Sequence, residues 1–322
     1  MSELLRAERL SKVFPQKHGA VHAVTDVSFT IAKGETLGLV GESGCGKSTL
    51  GRLLLNLLPP TSGAVWFNGV DLSRLKGREQ RRTRRGMQMI FQDPYASLDP
   101  RMSVGDCVME PLTAHRVGKN RRERVEIARG LLEQVGIRPE FFARYPHQFS
   151  GGQRQRVDIA RALALDPELV ICDEPVSALD VSIQAQILNL LSDLQAARGL
   201  TYLFISHDLN VVRYLSDRVM VMFLGRVCEL SPTEPLYRNP RHPYTRFLLE
   251  SVPQPDPTLR SDDRALLTGE ASGAYDPPAG CRFHPRCPYA DDLCRARQPD
   301  LVEMAPGHLC ACHHPLVDRE IF

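Results

Sequence analysis

The chain has 322 residues, long enough for two domains or for one large domain carrying an appendage. A hydrophobic fraction of 43% and a charged fraction of 24% are ordinary for a soluble globular protein, and 40 basic against 38 acidic residues leave a net charge of +2, which supplies no general attraction to nucleic acid or anionic membrane. No apolar run approaches the roughly 18 residues of a spanning helix, and Met1–Arg6 carries no secretory pattern, so the chain is expected in the cytosol unless a partner holds it at a membrane.

Residues 4 to 40 alternate short β-like runs with turns. Leu4–Leu10 and Ala23–Ile31 read as strands, Phe14 and Pro15 fall in the loop between them, and Lys33-Gly34-Glu35 turns into a buried strand, Thr36–Val40. That strand feeds Gly41-Glu-Ser-Gly-Cys-Gly-Lys-Ser-Thr49, which fits the phosphate-loop pattern G-x-x-x-x-G-K-[ST] without a mismatch. Thr49–Leu58 then reads as a helix running into Pro59 and Pro60. Gly41, Gly44 and Gly46 let the backbone wrap so that successive N–H groups face phosphate oxygens at a helix start. In such a loop Lys47 neutralises the β- and γ-phosphates, Ser48 offers its hydroxyl to Mg²⁺, and Cys45 contributes its backbone N–H rather than its thiol.

Ala64–Val70 is a strand and turn, the basic run Arg78–Arg85 reads as a solvated face ahead of a polyanion site, and Met87–Phe91 is a strand ending at Gln92-Asp93-Pro94. From Pro94 to about Arg144 the pattern becomes helical: Arg122–Val135 puts Val125, Ala128, Leu131, Leu132 and Val135 on one face. A helical insert of about 94–160 within an α/β domain follows from this. Ser150-Gly151-Gly152-Gln153 opens a helix over Arg154–Ala164, with Ser150 suited to cap it and the glycines permitting close approach to an anion. Leu169–Cys172 is apolar throughout, as expected of a parallel strand covered on both faces, and it ends in Asp173-Glu174 at the sheet edge where ligands bind in open α/β folds. Ser177–Asp180 leads into a helix, Ser182–Arg198, stopped by Gly199; Thr201–Ile205 is the next strand, and His207 follows it at the same edge. Arg218–Leu230 resembles a hairpin turning at Leu224-Gly225-Arg226. Leu236–Glu250 holds one short amphipathic helix, and 251–280, rich in Pro, Asp, Gly and Ser, reads as a linker.

Nine cysteines are present; Cys45, Cys107, Cys172 and Cys228 are scattered, whereas the other five crowd into 281–312. In a cytosolic protein such a cluster more often holds a metal than a disulfide. Cys281, Cys287, Cys294 and Cys312, spaced C-x5-C-x6-C-x17-C, form a four-thiolate set that suits Zn²⁺ or an iron–sulfur cluster, or that stays unligated. The paired C-x2-C usual in zinc ribbons is missing, and Cys310 and His313 are alternative fourth ligands.

The phosphate loop, Gln92, Ser150–Gln153, Asp173-Glu174, Ser177–Asp180 and His207 occur in the order and approximate spacing of an ABC-transporter nucleotide-binding domain, a resemblance that covers residues 4 to about 232. Arg241-His242-Pro243-Tyr244 and the cysteine pattern resemble the ATPase subunits of oligopeptide and dipeptide importers, a group that includes nickel and glutathione importers. Gln92–Asp99 and Asp173–Gln186 look like the second of the two ATPases such importers usually carry. The resemblance implies an α/β ABC-type phosphate-loop ATPase domain over 4–232, with an antiparallel β subdomain and the helical insert, followed by a cysteine-bearing extension over 233–322.

It also implies roles. ATP is held by Phe14, which stacks on adenine where Tyr is commoner, by Gly41, by Ser43, Gly44, Cys45, Gly46, Lys47, Ser48 and Thr49, and by Gln92. Mg²⁺ is held by Ser48, Gln92 and Asp173; Glu174 polarises the attacking water, and His207 contacts the γ-phosphate. Ser150, Gly151, Gly152 and Gln153 close over ATP on an opposite subunit, with Asp180 at the dimer seam; Phe149 stands where the family often has Leu. The matched cysteines, Cys281, Cys287, Cys294 and Cys312, ligate a [4Fe–4S] cluster in that family. The implied partners are a second, non-identical ATPase, two transmembrane permease subunits and, indirectly, an external binding protein, with the chain peripheral at the cytoplasmic face of the inner membrane. A competing reading, a soluble ABC ATPase acting on nucleic acid through Arg78–Arg85, meets an obstacle: only 57 residues separate Gln92 from Ser150, too few for the long coiled coil of repair ATPases.

Overall fold

A computed structural model describes residues 2–17, 19–93, 97–251, 275 and 277–317. The chain forms two compact units, each assembled from separate stretches: Met1–Leu4, Ile31–Thr36 and Arg74–Ile205 in the first, and Leu5–Thr30, Leu37–Ser73 and Ser206–Phe322 in the second.

In the N-terminal part of the second unit, β1 (Glu3–Gln16) and β2 (Gly19–Ala32) lead to β3 (Thr36–Val40), which is buried throughout. Helix α1 (Lys47–Leu54) follows the phosphate loop, and β4 (Ser62–Phe67) and β5 (Val70–Asp71) complete a four-stranded sheet in the order β2-β1-β4-β5. Both early strands run longer than their apolar cores suggest, so Phe14 stands in β1 and not in a loop. The register of β1 against β4 ends at Ser11↔Ser62, so Pro15 lies beyond that pairing.

The first unit holds helix α2 (Gly77–Arg85), β6 (Met87–Ile90), the insert helices α3 (Val104–Ala114) and α4 (Arg121–Gln134), α5 (Gly151–Leu163), β7 (Leu169–Asp173), α6 (Val181–Arg198) and β8 (Thr201–Ile205). No residue of α2 is buried, so the basic run is a solvated face. Helix α4 buries Ala128, Leu131 and Leu132, with Val125 half-buried, and packs on α3 and α5. Strands β6, β7 and β8 are parallel, with Met87↔Leu169 and Leu169↔Thr201 setting the register. β7 and β8 are buried at every position, each large aliphatic side chain contributing ~1.5–3 kcal/mol. Pro94–Ala96 lie outside the described residues.

The second unit resumes with α7 (Leu209–Leu215), a helix not read from the sequence, capped by Asp208, whose carboxylate accepts from the N–H of Asn210 at 2.8 Å. β9 (Arg218–Phe223) and β10 (Arg226–Pro232) form the expected hairpin, and β3 pairs with β9 in parallel. Where one helix was expected over Leu236–Glu250 there are two, α8 (Thr233–Arg238) and α9 (Pro243–Glu250). The break falls at Asn239–His242 because a residue before proline is pushed out of the α region, and Pro240 and Pro243 each impose that on a neighbour. Most of the expected linker, 252–274 and 276, lies outside the described residues. The chain ends in α10 (Asp292–Ala296), β11 (Val302–Ala305) and β12 (His308–Cys310), and within this unit the strands run β11-β12-β10-β9-β3. The extension is thus part of the same compact unit as the phosphate loop.

Candidate nucleotide site

The phosphate loop begins where β3 ends. Gly41 has φ 151°, and a Cβ there would lie 2.1 Å from the Met222 carbonyl oxygen; Gly46 has φ 105°, and its Cβ would lie 2.0 Å from the Ala23 oxygen. Both positions therefore exclude any side chain, by packing against backbone as well as by conformation. Gly46 is also the N-cap of α1 and provides no capping side chain, the form of helix start that receives an anion. Helix α1 starts at Lys47, two residues before the expected Thr49, because the loop closes directly into it. The Lys47 ammonium, 5% exposed, donates to the carbonyl oxygens of Gly41 at 2.7 Å and Glu42 at 3.0 Å, which holds it inside the curl of the loop. Cys45 turns its thiol inward, where burial raises its pKa, and its carbonyl accepts from the Gly225 N–H at 2.8 Å. Ser43 and Gly44 are exposed on the loop, and Ser48 and Thr49 are half-buried in the first turn of α1.

His207 belongs to the same unit and is exposed. Its predecessor, Ser206, donates its N–H to the Leu39 oxygen at 3.2 Å, tying this segment to the strand that feeds the loop. Phe14 is half-buried, with the Lys12 ammonium 5.1 Å from its ring centroid.

In the first unit the acidic edge of β7 is built around a turn. Asp173 is 3% exposed at the strand end. Glu174 adopts φ 48°, a left-handed conformation that costs about 1–3 kcal/mol in a non-glycine residue, and its N–H is held by the Ile205 oxygen at 3.0 Å. The turn leaves the Glu174 carboxylate half-buried, accepting from the Gln92 side-chain amide at 2.9 Å. Two residues 82 apart in sequence thereby share one polar site.

Ser150 caps α5: its hydroxyl accepts from the Gln153 N–H at 3.3 Å while the Gln153 side chain accepts from the Ser150 N–H at 3.1 Å. The helix starts at Gly151, not Arg154, for this reason. Gly152 meets α6 closely, since a Cβ there would lie 2.4 Å from Ile183 Cγ2. Asp180 precedes α6 without bonding it through its side chain, and it is exposed.

The extension contacts the loop through residues to which the sequence assigned no role there. Tyr244, buried beside Phe223 and Phe283 with ring centroids 4.7 and 5.3 Å away, accepts the Glu42 N–H on its hydroxyl at 2.9 Å. Arg286 donates to both carboxylate oxygens of Glu42, each at 2.9 Å. Tyr244 lay in a recognisable run, Arg241–Tyr244; Arg286 carried no signal beyond standing next to Cys287. That run is anchored by the buried Glu229 carboxylate, which accepts from the N–H groups of Arg241 at 2.7 Å and His242 at 3.0 Å and lies 2.6 Å from His308 Nε2.

Cys281, Cys287, Cys294 and Cys312 line one small cavity, with His284 and His313 on its wall. Burial raises all four thiol pKa values, that of Cys312 up to about 12. Cys310 is buried on β12 opposite Glu229 and is not part of the lining, and His313 Nε2 lies 2.9 Å from the Arg297 oxygen. Among the described residues, three ligand atoms come within 4.8 Å of one another only at Asp291, Cys294 and His314. No three of the cysteine sulfurs therefore share the mutual separations of roughly 3.8 Å that Zn–S bonds of ~2.3 Å impose on a tetrahedral site. Four thiols lining one cavity are a soft donor set of the kind that takes zinc or an iron–sulfur cluster.

Residues 24–177 match the ABC transporter family, and residues 228–294 match the oligopeptide/dipeptide transporter C-terminal region. A putative peptide import ATP-binding protein of Brucella ovis is 53% identical over 309 residues, covering 96% of this chain and 97% of that protein. The oligopeptide transport ATP-binding protein AppF of Bacillus subtilis is 53% identical over 306 residues, covering 94% and 92%. Among solved structures, the dimeric ATP-binding cassette MJ0796 in a post-hydrolysis state with ADP and Pi superposes with a TM-score of 0.66 at 30% identity, over 71% of this chain and 99% of that one. The cbiO1 subunit of a Clostridium perfringens ABC transporter gives 0.65 at 28% identity, over 74% and 91%. With a phosphate loop, a capped signature helix and a Gln92–Glu174 pair in one chain, and relatives matched along nearly its whole length, the chain belongs to the ABC transporter ATPases that carry the oligopeptide/dipeptide C-terminal region.

Proposed function

We propose that this chain is the ATP-hydrolysing, energy-coupling subunit of a membrane importer for di- and oligopeptides. The observation that carries the reading is the union of a phosphate loop with the oligopeptide/dipeptide region at 228–294, and the Brucella and Bacillus relatives, named for peptide import and oligopeptide transport, support it. On this reading residues 4–232 form the ATPase domain and 233–322 an extension of it.

Gly41, Ser43, Gly44, Cys45, Gly46, Lys47 and Thr49 bind the phosphates of ATP, and Phe14 packs against adenine. Glu174 orients and deprotonates the attacking water, steadied by Gln92, and His207 holds the γ-phosphate. Oxygen donors of the right hardness for Mg²⁺ come from Ser48, Asp173 and Gln92, and the ion, when bound, neutralises charge on the phosphates. Ser150–Gln153 completes a site on a second ATPase, for which the dimeric MJ0796 relative is the precedent. The 81% exposure of Val181, beside the exposed Asp180, supports a seam at that helix start. No described helix is long and apolar enough to cross a membrane. On this reading the chain is peripheral, held at the cytoplasmic face by two permease subunits.

Cys281, Cys287, Cys294 and Cys312 would hold a [4Fe–4S] cluster; the soft four-thiol set they bring to one cavity supports this reading, and would also suit zinc. The cluster, when bound, cross-links three segments of the extension. Anaerobically purified protein is expected to be brown and Cys287→Ser protein colourless; zinc in a colourless wild type defeats the cluster. For the transport reading, a deletion strain should lose uptake of labelled di- and oligopeptides, and this chain should copurify with two membrane subunits and a second ATPase. Normal peptide uptake by the deletion strain refutes it.

A further inference from the structure

We propose that Arg286 and Tyr244 are positioning residues for nucleotide binding, acting through Glu42 of the phosphate loop. Glu42 follows Gly41, and its carbonyl is one of the two that hold the Lys47 ammonium, at 3.0 Å. Its other polar groups are both taken by the extension: the N–H by the Tyr244 hydroxyl and the carboxylate, through two 2.9 Å bonds, by Arg286. The pair is part-buried, with side-chain exposures of 13% for Arg286 and 34% for Glu42, so it is screened less than a surface ion pair and its charge-assisted bonds count for more. Arg286 is itself seated, its guanidinium 5.9 Å from the centroids of Phe223 and Phe247.

Two effects on ATP follow from this geometry. The loop is held in place before phosphate arrives, which lowers the ordering cost of binding. Arg286 also neutralises a carboxylate standing in a loop that receives a polyanion, and without it Glu42 repels the phosphates. A brace serving stability alone predicts the first variant below to be less stable, but it predicts no recovery when Glu42 loses its charge. This separates the two explanations.

The test measures MgATP affinity of the full chain by calorimetry. Arg286→Gln is expected to raise Kd about fivefold or more, within the usual range of couplings between sites, with kcat at saturating ATP kept within about twofold. Glu42→Gln in that background is expected to restore most of the affinity, and Arg286→Lys to retain part of it. Wild-type affinity in Arg286→Gln, or no recovery in the double variant, overturns the proposal. Should Arg286→Gln lower the unfolding midpoint, Tyr244→Phe carries the test: it removes only the hydroxyl from a buried ring, and an unchanged Kd then counts against the proposal. Lys47→Ala provides the control, since unchanged binding there would refute the phosphate-loop assignment itself and not the role of Arg286.

Discussion

Two helix starts in this protein are rich in glycine, and they use it differently. Within Gly41–Lys47, Gly41 and Gly46 meet backbone carbonyls at separations no side chain could share, at positive φ, and α1 begins without a capping side chain. At Ser150–Gln153 the start is capped reciprocally by Ser150 and Gln153, and Gly152 is glycine because Ile183 of α6 occupies the space of a Cβ. The first arrangement leaves a helix terminus for an anion within the same unit; the second fixes the angle between two helices and offers a finished, rigid end. Similar composition thus answers a demand of backbone conformation in one place and of side-chain packing in the other.

Substitutions should expose that difference. Gly46→Ala drives a Cβ into the Ala23 carbonyl, which cannot move without disrupting β2, and MgATP affinity measured by calorimetry should fall about 1000-fold or more, ~4 kcal/mol. Glu174→Gln leaves that loop untouched, so binding should persist while steady-state hydrolysis in the assembled complex drops by about 100-fold or more. Gly152→Ala meets a side chain, so the cost should be ~1–3 kcal/mol in denaturant unfolding, and Ile183→Ala should recover much of it. No second substitution of that kind should rescue Gly46→Ala. Ser150→Ala removes the cap of α5 and should cost ~1 kcal/mol by the same measurement.

An effect confined to a pH window concerns Asp158, farther along α5, whose pKa burial raises from 3.8 to about 6. The folded state keeps this proton to higher pH than the unfolded state, so the neutral carboxyl favours folding below about 4, and that contribution is lost as pH rises through about 6. The unfolding midpoint of the wild type relative to Asp158→Asn should therefore fall between those pH values; a difference that does not change with pH contradicts the buried, protonated carboxyl.

Strands buried on both faces were legible because composition alone marks them: β3 and β8 occupy the residues read as Thr36–Val40 and Thr201–Ile205. Helix starts were less so. Those at Lys47 and Gly151 were misplaced by two and three residues, since each is set by loop closure or capping and not by apolar period. Helix α7 escaped notice because seven residues are too few to display a period, although Asp208 was in place to cap it. Among the candidate site residues, residue types and order named Lys47, Gln92, Asp173 and Glu174, but not the turn at Glu174 that brings its carboxylate to Gln92.

The sequence by itself determined the phosphate loop, the signature and the two carboxylates, because each is a local run whose spacing is dictated by the chemistry of holding phosphate. Only the tertiary structure decided that Arg286, 244 residues from Glu42, reaches the loop, and that four cysteines rather than five face one cavity. Contacts of that kind depend on how separate stretches of the chain pack into one unit, and no local pattern of residues encodes them.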